Sequence, residues 1–170
     1  DDATLIQQVE KLKLEIIQNK EDLLSVGDLK ACKFGRHLFQ PLFHVRNGGN
    51  ITILPIALGE SEYQFVIDLK DWCEKHESDL KTKGLELFLL RNLSRGKGVG
   101  FFEACNFHPD FILWILCGDK QYVHFIEPHG LMYEGVNSEK IQFHKRIKEI
   151  EARLGDPNVI LSSWILSWTP

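Results

Sequence analysis

Three stretches of this 170-residue chain predict a mixed α/β fold built on a small central sheet. Two apolar runs, Phe111–Leu116 and Tyr122–Ile126, flank Gly118-Asp119-Lys120, which reads as a tight turn between antiparallel strands. Two segments, from Ser61 to about Lys75 and from Ser138 to about Leu154, carry apolar residues at helical spacing behind a capping serine. A strand-like run, Val159–Leu166, follows the second of them. Strands interleaved with helices in this order define the class.

The elements follow in chain order. Residues 3–19 place Leu5, Ile6, Val9, Leu12, Leu14, Ile16 and Ile17 among charges and predict an amphipathic helix. Residues 20–33 predict a second helical stretch interrupted at Gly27. Residues 37–43, His-Leu-Phe-Gln-Pro-Leu-Phe, are too apolar for a free linker, and Asn47-Gly48-Gly49-Asn50 is a turn before a strand, Ile51–Leu54, that ends at Pro55. The helix from Ser61 turns Phe65, Val66, Leu69, Trp72 and Cys73 inward. Leu85–Leu90 and Val99–Cys105 read as strands around a turn at Gly96-Lys97-Gly98. In the last helix Ile141, Ile147 and Ile150 lie on one side and the basic residues largely on the other, until Gly155-Asp156-Pro157 stops it. The expected division is a helical connecting segment over 1–50 and a functional domain over 51–170.

Composition narrows the class of function. The chain is 44% hydrophobic and 26% charged, as expected of a globular protein, and no apolar run approaches a membrane span. Cys32, Cys73, Cys105 and Cys117 form no CxxC pair, so a cysteine zinc site is not supported and free thiols in a reducing cytoplasm are expected. The chain begins Asp-Asp-Ala and its one methionine is Met132, so a piece of a longer protein is expected. A net charge of -4 argues against binding nucleic acid by overall charge. Positive charge is local, at Arg91, Arg95 and Lys97 in one loop and at Lys140, Lys145, Arg146 and Lys148 on one helix. Gly96–Gly100 lacks the spacing of a phosphate-binding loop, and no Gly-x-Ser-x-Gly elbow occurs.

The chemistry concentrates in His108-Pro109-Asp110, which opens one strand, and Glu127-Pro128-His129-Gly130, which closes the next. Antiparallel pairing across the turn makes Asp110 and Glu127 neighbours, and strand alternation puts Glu127 and His129 on one face. Two carboxylates and an imidazole at one sheet end suit a divalent cation and a hydrolytic water. His124 has the opposite parity and is expected to point away.

These residues, in this order of elements, resemble the PD-(D/E)xK, or restriction endonuclease-like, nuclease superfamily. His37–Leu42, Glu62 with Phe65-Val66, Leu87–Asn92, Phe107–Ile112 and Phe125–Gly130 are similar to the C-terminal nuclease domain of bacterial DEAD/DEAH-box helicases related to type III restriction enzymes. The resemblance spans most of residues 36–167 and implies an αβββαβ core with a central mixed sheet flanked by helices, preceded by an N-terminal helical extension. It implies Mg²⁺-dependent (or Mn²⁺-dependent) endonuclease cleavage of DNA, in the cytoplasm, within a protein whose upstream helicase/ATPase domains deliver the substrate in restriction or phage defence. Carried over by position, Asp110, Glu127 and the carbonyl of Pro128 hold the metal, Glu62 is a further acidic residue, and His129 stands where the family has lysine. Arg91, Arg95, Lys97, Lys140 and Lys145 are the expected nucleic-acid contacts.

A neutral histidine lacks the fixed positive charge of that lysine, which Lys140 or Lys145 would restore. Each residue also has a plainer reading. Pro-Asp is a common turn pair. Glu62 complements a helix dipole. His108 with Asp110, Glu127 and His129 would suit a transition metal instead. The alternative for the whole domain is a nuclease-fold module that binds nucleic acid or a partner domain without cutting it.

Overall fold

The computed structural model describes residues 2–18, 21–38, 41–46, 57–93, 99–100, 107–128 and 138–167. They form a mixed α/β protein with two sheets and four helices, divided into two compact units: residues 1–35 and 39–68, and residues 36–38 and 69–170. Among the described residues no helix is long and apolar enough to cross a membrane.

In the first unit, helix α1 (Asp2–Gln18) packs on an antiparallel sheet of β1 (Leu23–Val26), β2 (Leu29–Cys32) and β3 (Leu42–Val45). Leu12 meets Leu24, Val26, Leu29 and Ala31, the alternate residues of β1 and β2, in one apolar cluster. No basic residue lies in the last turn of α1, but Lys33 donates from Nζ to the Ile16 carbonyl at 3.0 Å and supplies the missing cation there. The helical expectation for residues 20–33 is thus corrected to a hairpin. Leu24, Val26, Leu29 and Ala31 fit a period of two, and Gly27 adopts φ 60°, which a two-residue turn requires and a helix forbids. The expected turn at 47–50 and strand at 51–54 lie outside the described residues.

Helix α2 (Glu60–Lys75) contributes residues to both units. In the second unit, α3 (Glu77–Thr82) precedes β4 (Leu85–Arg91), β5 (Phe111–Cys117) and β6 (Lys120–Glu127), an antiparallel meander closed by the two-residue turn Gly118-Asp119. Helix α4 (Glu139–Leu154) carries the chain back to β7 (Val159–Ile165), which pairs parallel with β6, so the sheet order is β4-β5-β6-β7. Ser138 caps α4 by accepting from the Ile141 N–H at 3.3 Å, and Gly155, with φ 67°, ends it. Arg36–Leu38 lies along the outer edge of β4, bonding Leu89 through both its N–H and its carbonyl. At the far edge the Glu151 carboxylate accepts the Leu161 N–H, one device that keeps an edge strand from pairing with another chain. Of the strand expected at 99–105, Val99 and Gly100 lie outside any strand and the rest is outside the described residues.

Helix α4 covers the sheet face that carries Ile112, Val123, Phe125 and Leu161, and it does so with Phe143 and Ile147. Ile141 is only half-buried, so the inward stripe expected from Ile141, Ile147 and Ile150 is corrected: Phe143 is its centre. The ring of Phe143 lies 4.9 Å from Phe107 and 6.1 Å, edge-on, from Phe125. Phe143→Ala is expected to destabilise this unit by about 3–5 kcal/mol through lost contacts and the remaining cavity, read as a lowered midpoint in urea unfolding.

Candidate active site

Strand register builds the site. Phe111 pairs with Ile126, so one further step sets Asp110 across from Glu127, and both share parity with Ile112 and Phe125 on the face beneath α4. Pro109 and Pro128, each without an N–H to give the ladder, are fully buried beside them.

Each carboxylate is held by a cation. Glu127, with 7% of its side chain exposed, accepts from Lys140 Nζ at 2.7 Å. Lys140 reaches it because it lies three and seven residues before Phe143 and Ile147, on the inner side of α4; Lys145 falls on the outer side and is exposed. Lys140 therefore departs from the expectation that the basic residues of this helix face outward. Asp110 meets Arg91, whose Nη1 lies 3.2 Å from Asp110 Oδ1 and donates to the Asp110 carbonyl at 2.6 Å. Arg91 is a buried end-of-strand residue rather than a loop residue, and its guanidinium also stacks 5.1 Å from the Phe111 ring. Engaged this way, it serves Asp110 and does not offer a free surface to nucleic acid.

Two further residues organise this corner. Asn92 donates from Nδ2 to the carbonyls of Val99 and Pro109, both at 2.8 Å, and accepts the Val99 N–H at 2.9 Å, tying the end of β4 to the approach to Asp110. Buried His37 accepts the Arg91 N–H at 2.7 Å through Nε2. Neither carried a role in the sequence reading. Their signal was available only as polar residues next to apolar runs, in Leu87–Asn92 and His37–Leu42.

The remaining expected site residues are placed as follows. Glu62 is buried in the first unit and accepts the Gly59 N–H at 2.6 Å. His108 packs its ring against Gly100, where an added Cβ would come within 2.2 Å of the ring and displace it. Among the described residues no three His, Cys, Asp or Glu side chains are grouped to hold a metal, so the transition-metal cluster expected through His108 is not formed by them. His129, Arg95 and Lys97 lie outside the described residues.

His124 points to the opposite face, as its parity predicts, where Nδ1 lies 2.6 Å from Ser162 Oγ and accepts the indole N–H of Trp164 at 3.2 Å. Burial, and then the nearby Lys148 charge, hold its pKa below the ordinary imidazole value. The unfolded chain therefore binds a proton more readily than the folded one. The contribution of His124 to stability is complete above about pH 6.5 and is lost as pH falls from there through its lowered folded-state value. Urea unfolding is expected to show stability falling below about pH 6.5, and His124→Gln is expected to flatten that slope.

No family model, no curated protein and no solved structure matches this chain.

Proposed function

We propose that the second unit is a metal-dependent endonuclease domain of the PD-(D/E)xK type that hydrolyses phosphodiester bonds in DNA. The observation that carries this is the pair Asp110 and Glu127, in register at one end of neighbouring strands, with the Lys140 ammonium 2.7 Å from Glu127. The order of elements, with helices α2 and α3 before β4-β5-β6 and then α4 and a β7 parallel to β6, adds support, since apart from the short α3 it follows the αβββαβ order that the resemblance implies.

Asp110, Glu127 and the Pro128 carbonyl would hold Mg²⁺ or Mn²⁺, because hard oxygen donors and one or two carboxylates are what such ions take from a protein. Bound there, the ion supplies Lewis-acid stabilisation of the phosphate and acidifies a water. The chain's own groups do the rest. Lys140 sets a positive charge where negative charge develops on the phosphate oxygens, the charge that His129 lacks when neutral. His129 follows Glu127 by two residues and is the proposed base. Arg91, held by His37 through its N–H, fixes the backbone and carboxylate of Asp110. Exposed Lys145, with Arg95 and Lys97, would contact the DNA backbone, and helicase/ATPase domains of a longer cytoplasmic protein would deliver the strand in a restriction or defence role.

The test is cleavage of supercoiled plasmid by the chain with Mg²⁺ or Mn²⁺, with Asp110→Asn alongside. Nicking that needs the metal and is lost in the variant is the expected result. One observation favours a second reading, a nuclease-fold module that grips DNA without cutting it: each carboxylate already has a protein cation, at 3.2 and 2.7 Å. Absence of cutting with either metal, together with DNA binding that weakens with salt, would establish that reading instead.

A further inference from the structure

Among the described residues of its unit, helix α1 buries one face on its sheet and carries exposed apolar side chains on another. Ile6, Val9, Leu14 and Ile17 are between 43% and 71% exposed, although Leu12 on the inner side is 2% exposed. Four large apolar side chains on one helix face are an uncommon solvent surface and mark a contact site.

The pattern specifies the occupant. Ile6, Glu10, Lys13 and Ile17 follow one another at spacings of four, three and four, the spacing of a coiled-coil seam, with Val9 and Leu14 on its flanks. The seam inverts about its midpoint, between Lys11 and Leu12. Ile6 exchanges with Ile17, Val9 with Leu14, and Glu10 with Lys13, so each apolar residue maps onto an apolar one and the acid onto the base. A surface that matches itself after a half-turn is what an isologous twofold contact needs.

We propose that the outer face of α1 pairs antiparallel with the same face of a second copy of this chain. Ile6 of one helix then lies level with Ile17 of the other at both ends of the seam, and two Glu10–Lys13 pairs occupy its centre. The parallel arrangement would set Glu10 against Glu10 and Lys13 against Lys13, so charge selects the antiparallel one. The seam from Ile6 to Ile17 is 12 residues long and spans about 18 Å, a short contact that suits a reversible dimer rather than an obligate one. An unrelated helix would have no reason to match this inversion.

Sedimentation velocity of the whole chain over a wide concentration range tests this, with circular dichroism to verify folding. The wild type is expected to shift from monomer to dimer. Glu10→Lys alone, an exposed change that puts like charges together twice, is expected to weaken the dimer by at least about tenfold. Glu10→Lys combined with Lys13→Glu is expected to restore it, because the exchanged charges meet again. Mixing an Ile6→Cys chain with a differently tagged Ile17→Cys chain is expected to give the mixed cross-link in preference to either self-linked product. A monomer at every concentration would assign this face to a different protein or to another segment and overturn the proposal. A double exchange no better than the single one, or cross-linking that favours Ile6→Cys with itself, would overturn it too.

Discussion

Asp110→Asn is expected to reduce metal-dependent DNA cleavage by a factor of about a hundred to a thousand or more, and to leave the fold intact. The substitution removes one of two anionic donors at a site where the proposed ion depends on them. Its structural cost is small for a reason visible in the contacts. Arg91 donates not only toward Asp110 Oδ1 but also to the carbonyls of Asp110 and Asn92, at 2.6 and 3.3 Å, and these survive the change. An asparagine oxygen also replaces the carboxylate oxygen that faces Arg91. The loss is then about 1–3 kcal/mol, within what a folded domain tolerates. Nicking of supercoiled plasmid at matched protein concentration reads the activity, and the urea midpoint reads the fold. Cutting at the wild-type rate by a folded Asp110→Asn chain would remove Asp110 from the chemistry and with it the proposed site.

How far the sequence disclosed this site differs from residue to residue. Asp110 and Glu127 were legible because a two-residue turn fixes register, and register alone sets the two residues across from each other. Lys140 was legible in principle, since it stands three and seven residues before Phe143 and Ile147. It was obscured by choosing Ile141 as an anchor of the inward stripe, which rotates the helix and turns the lysine out. Arg91 was assigned to a loop because a charged residue ends the apolar run Leu85–Leu90, and its burial at the end of β4 depends on the distant Asp110, which no local pattern reports. His37 was still less accessible: its bond to Arg91 joins residues 54 apart in sequence, and no periodicity reports such a contact. The hairpin over residues 23–32 was missed because leucine, lysine and alanine favour helices. There the alternation of buried residues and the turn at Gly27 outweigh intrinsic propensity.

Lys140→Met is expected to lower cleavage by about a hundredfold and also to weaken the fold, and the two effects are separable. Removing the ammonium leaves the Glu127 carboxylate, with 7% of its side chain exposed, without its cation. For a fully buried pair that costs about 3–5 kcal/mol. Here the lysine is 35% exposed and water screens part of the interaction, so about 1–2 kcal/mol is expected. Adding Glu127→Gln removes the carboxylate charge that Lys140 had balanced, and the double variant is expected to recover most of the lost stability. Cleavage is expected to stay lost, because both a metal donor and the positive charge have gone. Lys140→Arg keeps the charge in a different geometry and is expected to retain stability with partial activity. A purely structural lysine gives another pattern: Lys140→Met would cut at the wild-type rate under conditions where it is fully folded. The decisive comparison is therefore cleavage by Lys140→Met and Lys140→Arg at equal folded fractions, where only a charge acting on the phosphate separates the two.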